Sequence, residues 1–556
     1  MIHDLDAHGQ TDLEGYDLCI IGSGPAGATL ATELLGSGLK ICVLESGLRR
    51  RSRHADSLRE VTSTGIHIKE YSRERLLGGA STTWAGLSSP FDPVDFEART
   101  GIPNSGWPIT REELLPFYEA AAERYRFPVA AHFSPDGFRS LRPKGDLQPE
   151  WTDVNEKVFM AAADPQNFGK ECEHTYTSDA AGLDNVDLFF DASVTQLLAE
   201  PDTQRVAVAL ARTKSGKQVR VHARAFVVAA GGIENARILL NSRDMCPAGL
   251  GNEEDRVGRY FMNHPKNYLG WLHFDPPVLE LPYYFGCMYK GYAGYAGLRL
   301  PEDELRERGL LNSYVRLEPI FPWTDNPGIE ALVLFVKRSS VLFAFWKKRK
   351  QDELVELRDY SETGDDSDLQ NKDKGWAEWL GLLGTVIWNA PRVLQYLSYR
   401  LTRRKPRIKK ARARNFMEME PHEDNRVVLG EDTDTFDSQL PHVQHACTEL
   451  DQRSLLALHE RLAKSAHDAG LGRFESTLAE TTPWPIDQDA SHHMGATRMG
   501  ADPKSSVTNP DGRLHTVDNV YLAGASILPT SGCANPTFTL VALAIRQAQT
   551  LRETLR

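Results

Sequence analysis

Residues Tyr16 to Gly47 read YDLCIIGSGPAGATLATELLGSGLKICVLESG, and this stretch decides the fold. Leu18 to Ile21 is a short apolar run that ends at Gly22-Ser23-Gly24-Pro25-Ala26-Gly27. A helical pattern follows in Ala28, Leu30, Ala31, Leu34 and Leu35, and Gly36 and Gly38 stop it. Ile41 to Leu44 is a second buried-strand run, closed by Glu45. Strand, glycine turn, helix, strand and acidic residue together form the context in which GxGxxG means a dinucleotide. Gly22 allows the tight turn, Gly24 lets a pyrophosphate approach the backbone, and Gly27 lets helix and strand pack closely. Ser23 and Ala26 lie within the same turn and are candidate cofactor contacts. The helix N-terminus offers free N–H groups and a partial positive charge to the pyrophosphate. Glu45 is positioned to accept hydrogen bonds from ribose hydroxyls. The motif alone leaves FAD and NAD(P) both open.

A chain of 556 residues exceeds one usual hydrophobic core, so two domains or one elaborated domain are expected. The formal charge of −12 argues against general nucleic-acid binding. Seven cysteines are scattered and form no CxxC pair, which leaves metal-finger and disulfide-framework readings unsupported and fits a reducing compartment. The opening MIHDLDAHGQTDLEG is polar and acidic, unlike a secretory signal, and cytoplasm is the expectation. No run of about 18 apolar residues exists, so no transmembrane helix is expected.

Outward from the glycine turn, Leu76 to Gly86 reads LLGGASTTWAG, a density of small residues that permits close backbone approach. Thr110 followed by Glu112 and Glu113 is a helix start with an N-cap and acids in its first turn. Asn185–Phe190, Ser193–Leu198, Val206–Ala211 and Gln218–Ala230 read as β segments. The last runs into Gly231-Gly232 and a helical Ile233 to Leu240, as if the chain returned to the nucleotide-binding sheet. Tyr268–Phe274, Tyr283–Tyr295, Leu310–Phe321 and Ile329–Val336 are aromatic-rich strand candidates for the antiparallel sheet of a second domain. Leu455, Leu456, Leu458, Leu462 and Ala466 recur at helical spacing before Gly470.

Residues 340–415 differ in composition from the rest. Ser361 to Asp373 is acidic and reads as unpacked, whereas Trp376 to Leu401 is rich in Trp, Leu and Tyr. Between Pro391 and Arg414 there are ten Lys or Arg and no acid, so the remainder of the chain carries about −22 (−12 minus 10). An amphipathic basic segment with interfacial Trp suits an anionic membrane surface, and a helical insertion with a solvated or partner-facing basic face is the alternative.

Residues 491–546 carry the chemistry: SHHMGATRMGADPKSSVTNPDGRLHTVDNVYLAGASILPTSGCANPTFTLVALAIR. Val520 to Ala523 is a third buried strand ending on small residues, and Asn535-Pro536 opens a helix with Asn535 as candidate N-cap. Together with the N-terminal glycine turn, GGAST-W and VVAAGGIENARIL, the HHMGATRMG and GCANPTFT segments resemble the glucose–methanol–choline (GMC) family of FAD oxidoreductases over nearly the whole chain. The GRYFMNHP segment around His264 is most similar to the bacterial branch near the pyranose oxidases and sugar dehydrogenases.

The resemblance implies a working pair, His492 at the first position of H-x-x-G-[TS]-x-x-M-G and Asn535 some forty residues on, with His493 adjoining as the alternative base. Ala496 stands where the family often has Thr or Ser, with Thr497 next. The resemblance further implies that Gly79, Ser81, Thr82 and Ala85 line the flavin and that Val194 meets the adenine by its backbone. It gives Ala230 and Gly231 to the cofactor as well, and Gly524, Ala525, Pro536 and Thr537 to the ribityl chain or isoalloxazine ring. Thr83 occupies the position where some relatives attach FAD through a histidine, which implies non-covalent FAD.

The chemistry accounts for these residue types. Oxidising an alcohol removes a proton from oxygen and a hydride from carbon, which flavin N5 can accept. A neutral imidazole can take the proton, and an asparagine amide can hold the developing alkoxide. The expected fold is α/β, a Rossmann-like FAD domain with an α+β substrate domain built on a mainly antiparallel sheet. The FAD domain would combine 1–100, 185–265 and 490–556, with 101–184 as a lid or substrate-associated segment and 266–489 as substrate domain. The expected activity is oxidation of a sugar, glycoside or related alcohol, with O2 or a quinone as acceptor and peripheral membrane contact through 376–414. An NAD-dependent dehydrogenase and a non-catalytic flavin-binding assembly protein at a membrane are the alternatives.

Overall fold

The computed structural model describes residues 1–141, 149–162, 166–169, 185–200, 203–279, 281–289, 291–338, 376–402, 406–485 and 491–556. Asp12–Ile21 and Ile41–Leu44 bury their apolar runs on both faces, as strands do in the middle of a parallel sheet. Five strands run parallel in the order Ile2–Asp4, Val186–Phe190, Ile41–Leu44, Asp12–Ile21 and Gln218–Val228. The long strand Gln218–Val228 changes neighbour along its outer edge. Its first half pairs antiparallel with Val206–Arg212, which in turn pairs with Ser193–Ala199. Its second half pairs parallel with Val520–Leu522.

The registers bring four strand ends side by side. Ile21 pairs with both Leu44 and Val228, and Val228 pairs with Leu522. Each strand therefore delivers its following loop to one crevice at the carboxyl edge, where open α/β sheets bind ligands. Helices Pro25–Glu33 and Thr537–Leu555 pack against each other, and Arg111–Arg124 lies across the second of them. Tyr118 of that crossing helix hydrogen-bonds Thr539 at 2.7 Å. Thr110 and Glu113 form a reciprocal capping box at its start.

The second sheet has eight antiparallel strands, running from Cys287–Tyr289 through Tyr292–Arg299, Tyr314–Pro319, Ile408–Phe416 and Gly270–Val278 to Gly472–Ser476. Asn155–Ala162 joins it on Tyr292–Arg299, and Lys266–Asn267 joins it on Ile408–Phe416. Helix Glu449–Asp468 covers it from behind.

Three expectations change. Tyr283–Phe285, read as the start of a strand, lies in helix Pro282–Phe285, and strands follow only at Cys287–Tyr289 and Tyr292–Arg299. Ile329–Val336 is not a strand but belongs to helix Pro327–Arg338, where Ile329, Leu332, Val333 and the more distant Trp323 and Val393 form one apolar cluster. A β-branched, aromatic run misleads at this length because a buried helix shows the same composition. The basic insertion read over 340–415 also ends early. Ile408–Phe416 is a strand of the second sheet, and Arg414 is fully buried there. Trp376–Trp388 and Ala390–Thr402 are helices stacked on Pro327–Arg338. The acidic stretch 361–373 lies outside the described residues.

A buried ion pair ties the segment after Phe91 to the second sheet. Arg99 donates Nη1–H to Glu418 Oε2 at 2.9 Å and Nη2–H to Oε1 at 2.5 Å, with both side chains inaccessible to solvent. Asp92 accepts from Lys157 at 2.8 Å, and Asn312 donates to both Asp92 and Asp95. Asp95 is pushed up to about 7, chiefly by burial and then by the charges of Asp92 and Glu418. Glu418→Leu leaves the Arg99 charge buried without its partner and should cost about 3–5 kcal/mol, read as a lower urea midpoint. The double variant Arg99→Met/Glu418→Leu should recover most of that loss.

Candidate active site

The crevice begins at the glycine turn. Gly22 has φ +103°, and a Cβ there would lie 2.6 Å from the Ala229 carbonyl oxygen. A Cβ on Gly27 would lie 2.0 Å from the Gly22 carbonyl oxygen, so helix and strand touch with no room for a methyl group. Gly24 differs from both, having nothing within 4 Å of where its Cβ would be. It is also the N-cap of Pro25–Glu33, and no side chain caps that helix. The open side of the turn and its free N–H groups are thus presented together, as a pyrophosphate requires. Gly231, with φ +102°, also faces open space, and Gly524 meets only Ala26 at 3.7 Å.

Glu45 is buried beneath this turn. Its Oε2 accepts from Ser23 N–H at 3.1 Å and from Ser23 Oγ–H at 2.5 Å, and its Oε1 accepts from Gly47 N–H at 2.8 Å. Ser23 Oγ in turn accepts from Gly78 N–H at 3.2 Å, fixing the second glycine loop against the first. The turn Gly79–Thr82 then curls back. Ser81 Oγ donates to Gly78 O at 2.7 Å, and Thr82 Oγ donates to Gly79 O at 2.9 Å. Ala85 is exposed on the loop just beyond. Val194 lines a small cavity with Leu58, Ser193, Thr195 and Ile238.

Asn235 holds the returning loops together. Its Oδ1 accepts from Ala230 N–H at 2.8 Å, while its Nδ2 donates to Ala523 O at 3.0 Å and Ser526 Oγ at 2.8 Å. Thr497 Oγ bonds the same Ser526 hydroxyl at 2.7 Å, and Ala496 beside it is fully buried. The Ala525 carbonyl accepts from Gly495 N–H at 3.3 Å, joining the 524–526 turn to the histidine loop.

His492 sits where its own loop meets the 261–264 and 531–535 segments. Met262 and Met494 exchange both backbone hydrogen bonds, which lays the Phe261–His264 segment beside the histidine loop. Asn263 Oδ1 accepts from the backbone N–H of His492 at 3.1 Å and of His264 at 2.8 Å. His264 Nδ1 lies 2.8 Å from His492 Nδ1. Its Nε2 lies 3.1 Å from Ser531 O and 3.0 Å from Gly532 O. Asn535 Nδ2 faces His492 Nε2 at 3.4 Å. His493 goes elsewhere, its ring stacked on Phe261 at 6.0 Å and its backbone oxygen against Gly232.

These distances assign the tautomers. Carbonyl oxygens only accept, so His264 Nε2 carries a proton. Burial lowers the His264 pKa to about 4, so the ring is neutral and its Nδ1 is a lone pair. The shared hydrogen bond then needs the proton on His492 Nδ1. A neutral His492 is left with its Nε2 lone pair toward Asn535.

Most of the residues read from sequence come together around the crevice. Asn535 is not an N-cap, however: the helix begins at Thr537 after Pro536, with no side-chain cap, and the Asn535 amide turns to His492. His264, Asn263 and Asn235 were not among the expected site residues. The Asn-His-Pro at 263–265 was a signal, since a buried loop histidine flanked by an amide residue needs partners on both ring nitrogens.

Residues 421–544 match the profile of the GMC oxidoreductase family, and residues 17–248 match that of FAD dependent oxidoreductases. A similar protein is 6'''-hydroxyparomomycin C oxidase of Streptomyces lividus, 24% identical over 96% of this chain and 91% of its own. Fructose dehydrogenase large subunit of Gluconobacter japonicus is 23% identical over 97% of this chain and 98% of its own. Among solved structures, a formate oxidase variant of Aspergillus oryzae RIB40 superposes with a TM-score of 0.51 at 13% identity, covering 99% of this chain and all of that one. The chain thus carries a GMC oxidoreductase domain at residues 421–544 and an FAD-dependent oxidoreductase domain at residues 17–248, and it is an FAD-dependent oxidoreductase. The open glycines, the uncapped helix and the carboxylate-braced turn fit that cofactor.

Gly27→Ala should abolish FAD binding, because its methyl group would overlap the Gly22 carbonyl and force strand and helix apart. The purified variant should lack flavin absorbance, whereas Gly9→Ala, with nothing within 4 Å, should stay yellow.

Proposed function

We propose that the protein oxidises a secondary hydroxyl of a sugar, glycoside or related alcohol to a ketone, with His492 as base. The observation that carries the reading is the His264–His492–Asn535 arrangement, which leaves one imidazole nitrogen with a lone pair and an amide donor beside it. The substrate hydroxyl would donate to His492 Nε2, and Asn535 Nδ2–H would hold the same oxygen as negative charge develops on it. FAD, when bound, supplies the hydride acceptor at flavin N5. The proton collected on Nε2 makes His492 an imidazolium, whose Nδ1–H bond to His264 then strengthens as a charge-assisted contact.

Support for a sugar-like substrate comes from the two relatives, one named as a hydroxyparomomycin oxidase and the other as a fructose dehydrogenase subunit. Either O2 or a quinone would serve as acceptor. The working location in this reading is the cytoplasm, peripherally at the inner face of a membrane. It rests on the scattered cysteines and on the apolar helices after Trp376. Thr83 supports non-covalent FAD, since its Oγ donates to backbone oxygens of Tyr71 and Ala80 and a threonine offers no imidazole for a histidyl–flavin bond.

In anaerobic stopped-flow with a panel of sugars and polyols, flavin absorbance should bleach for at least one class. His492→Ala should slow bleaching by about 10²–10⁴-fold while FAD stays bound. An unchanged rate would remove His492 from the base role. Acid precipitation should release the flavin into the supernatant; colour retained in the pellet would mean a covalent link.

A further inference from the structure

The described residues show twelve large apolar side chains strongly exposed to solvent, and seven of them fall within 376–402. Scattered exposed leucines need no explanation, but a concentration of this kind does. On helix Trp376–Trp388, Leu380, Leu383 and Ile387 recur at i, i+3 and i+7 and form one outward stripe. On helix Ala390–Thr402, Leu394, Leu397 and Leu401 repeat the same spacing. Trp388, at the junction of the two helices, is 89% exposed.

The opposite faces of these helices are already used. Val393 is buried against Trp323 and Ile329, and Trp379 meets Phe335 edge-on at 4.9 Å. The outward stripes are thus a second apolar face on helices whose first face holds them to the protein. Charge identifies what that second face suits. Residues 391–409, short of the buried Arg414, carry seven cations and no anion in a chain of net charge −12, and Arg392, Arg407 and Lys409 are exposed. Among the described residues no helix is long and apolar enough to cross a membrane. Leucine stripes, a Trp at their junction and flanking cations are what an interfacial helix presents to anionic lipid.

We propose that the two-helix face of 376–402 docks on an anionic lipid bilayer, its leucine stripes and Trp388 entering the headgroup boundary and Arg392, Arg407 and Lys409 meeting lipid phosphates. This deepens the peripheral location read above and is independent of the reaction at His492.

The test is co-sedimentation of the FAD-loaded full chain with phosphatidylglycerol/phosphatidylethanolamine vesicles and with phosphatidylcholine vesicles, at low and high salt. Binding should favour the anionic vesicles by about tenfold or more and weaken with salt. Ile387→Ser/Trp388→Ser/Leu394→Ser/Leu401→Ser should leave the protein in the supernatant. Arg392→Gln/Arg407→Gln/Lys409→Gln should bind both vesicle types alike and weakly. Flavin content and flavin reduction in solution should match the wild type in both variants, so loss of docking is read separately from loss of chemistry. Wild-type protein remaining in the supernatant with anionic vesicles at low salt would overturn the proposal, as would unchanged pelleting of the four-serine variant. Concentration-dependent self-association abolished by the serine substitutions, without vesicle binding, would overturn it in favour of a second copy as occupant.

Discussion

Val228 is in register with Ile21 on one side and Leu522 on the other, and this double pairing is the constraint on which the molecule depends. It places the loops that begin at residues 22, 229 and 523 side by side, although they are hundreds of residues apart in the chain. Backbone hydrogen bonds in a buried parallel sheet cannot slip by one residue without turning apolar side chains out of the core. The spacing between the glycine turn and the histidine loop is therefore fixed by the same core that stabilises the sheet. Asn235 makes the link specific, since its one amide serves both the 230 loop and the 523–526 turn.

The reacting end of the crevice is built by a different logic. Two imidazoles share a single hydrogen bond at 2.8 Å, and two neutral rings can do so only if one donates and the other accepts. The carbonyls of Ser531 and Gly532 decide which ring does which, because they claim the proton on His264 Nε2. Those carbonyls precede Asn535 by only a few residues, so one loop both presents the Asn535 amide and fixes the tautomer of His492. Burial keeps His264 neutral down to about pH 4, which preserves the arrangement across ordinary working conditions. Thr530 anchors the same loop through Trp107 and the Asp95 carbonyl, each at 2.7 Å.

Much of this was legible in the sequence. Short apolar runs ending in glycine announced the parallel strands, and capping chemistry at Thr110 located a helix start that the structure reproduces. The proximity of residue 492 to residue 535 came from motif resemblance rather than periodicity. What the sequence hid was pairwise: His264 acquires its meaning from a partner 228 residues away, and nothing local to Asn263-His264-Pro265 encodes that distance. Ile329–Val336 was misread because a short apolar run carries no period when both sides of the element are apolar. Arg412 and Arg414 looked like part of a solvated basic cluster, yet Glu318 and the Tyr268 ring draw them into the second sheet.

The contact with His264 requires the His492 proton on Nδ1, which leaves the Nε2 lone pair facing Asn535 as the proposed base role needs. Nitrogen NMR of the FAD-loaded enzyme labelled at histidine ring nitrogens, assigned by comparison with His492→Asn, reads this directly. The account predicts that at neutral to mildly alkaline pH the His492 resonances report a protonated Nδ1 and an unprotonated Nε2. A proton found on Nε2 instead, with Nδ1 bare, would contradict it.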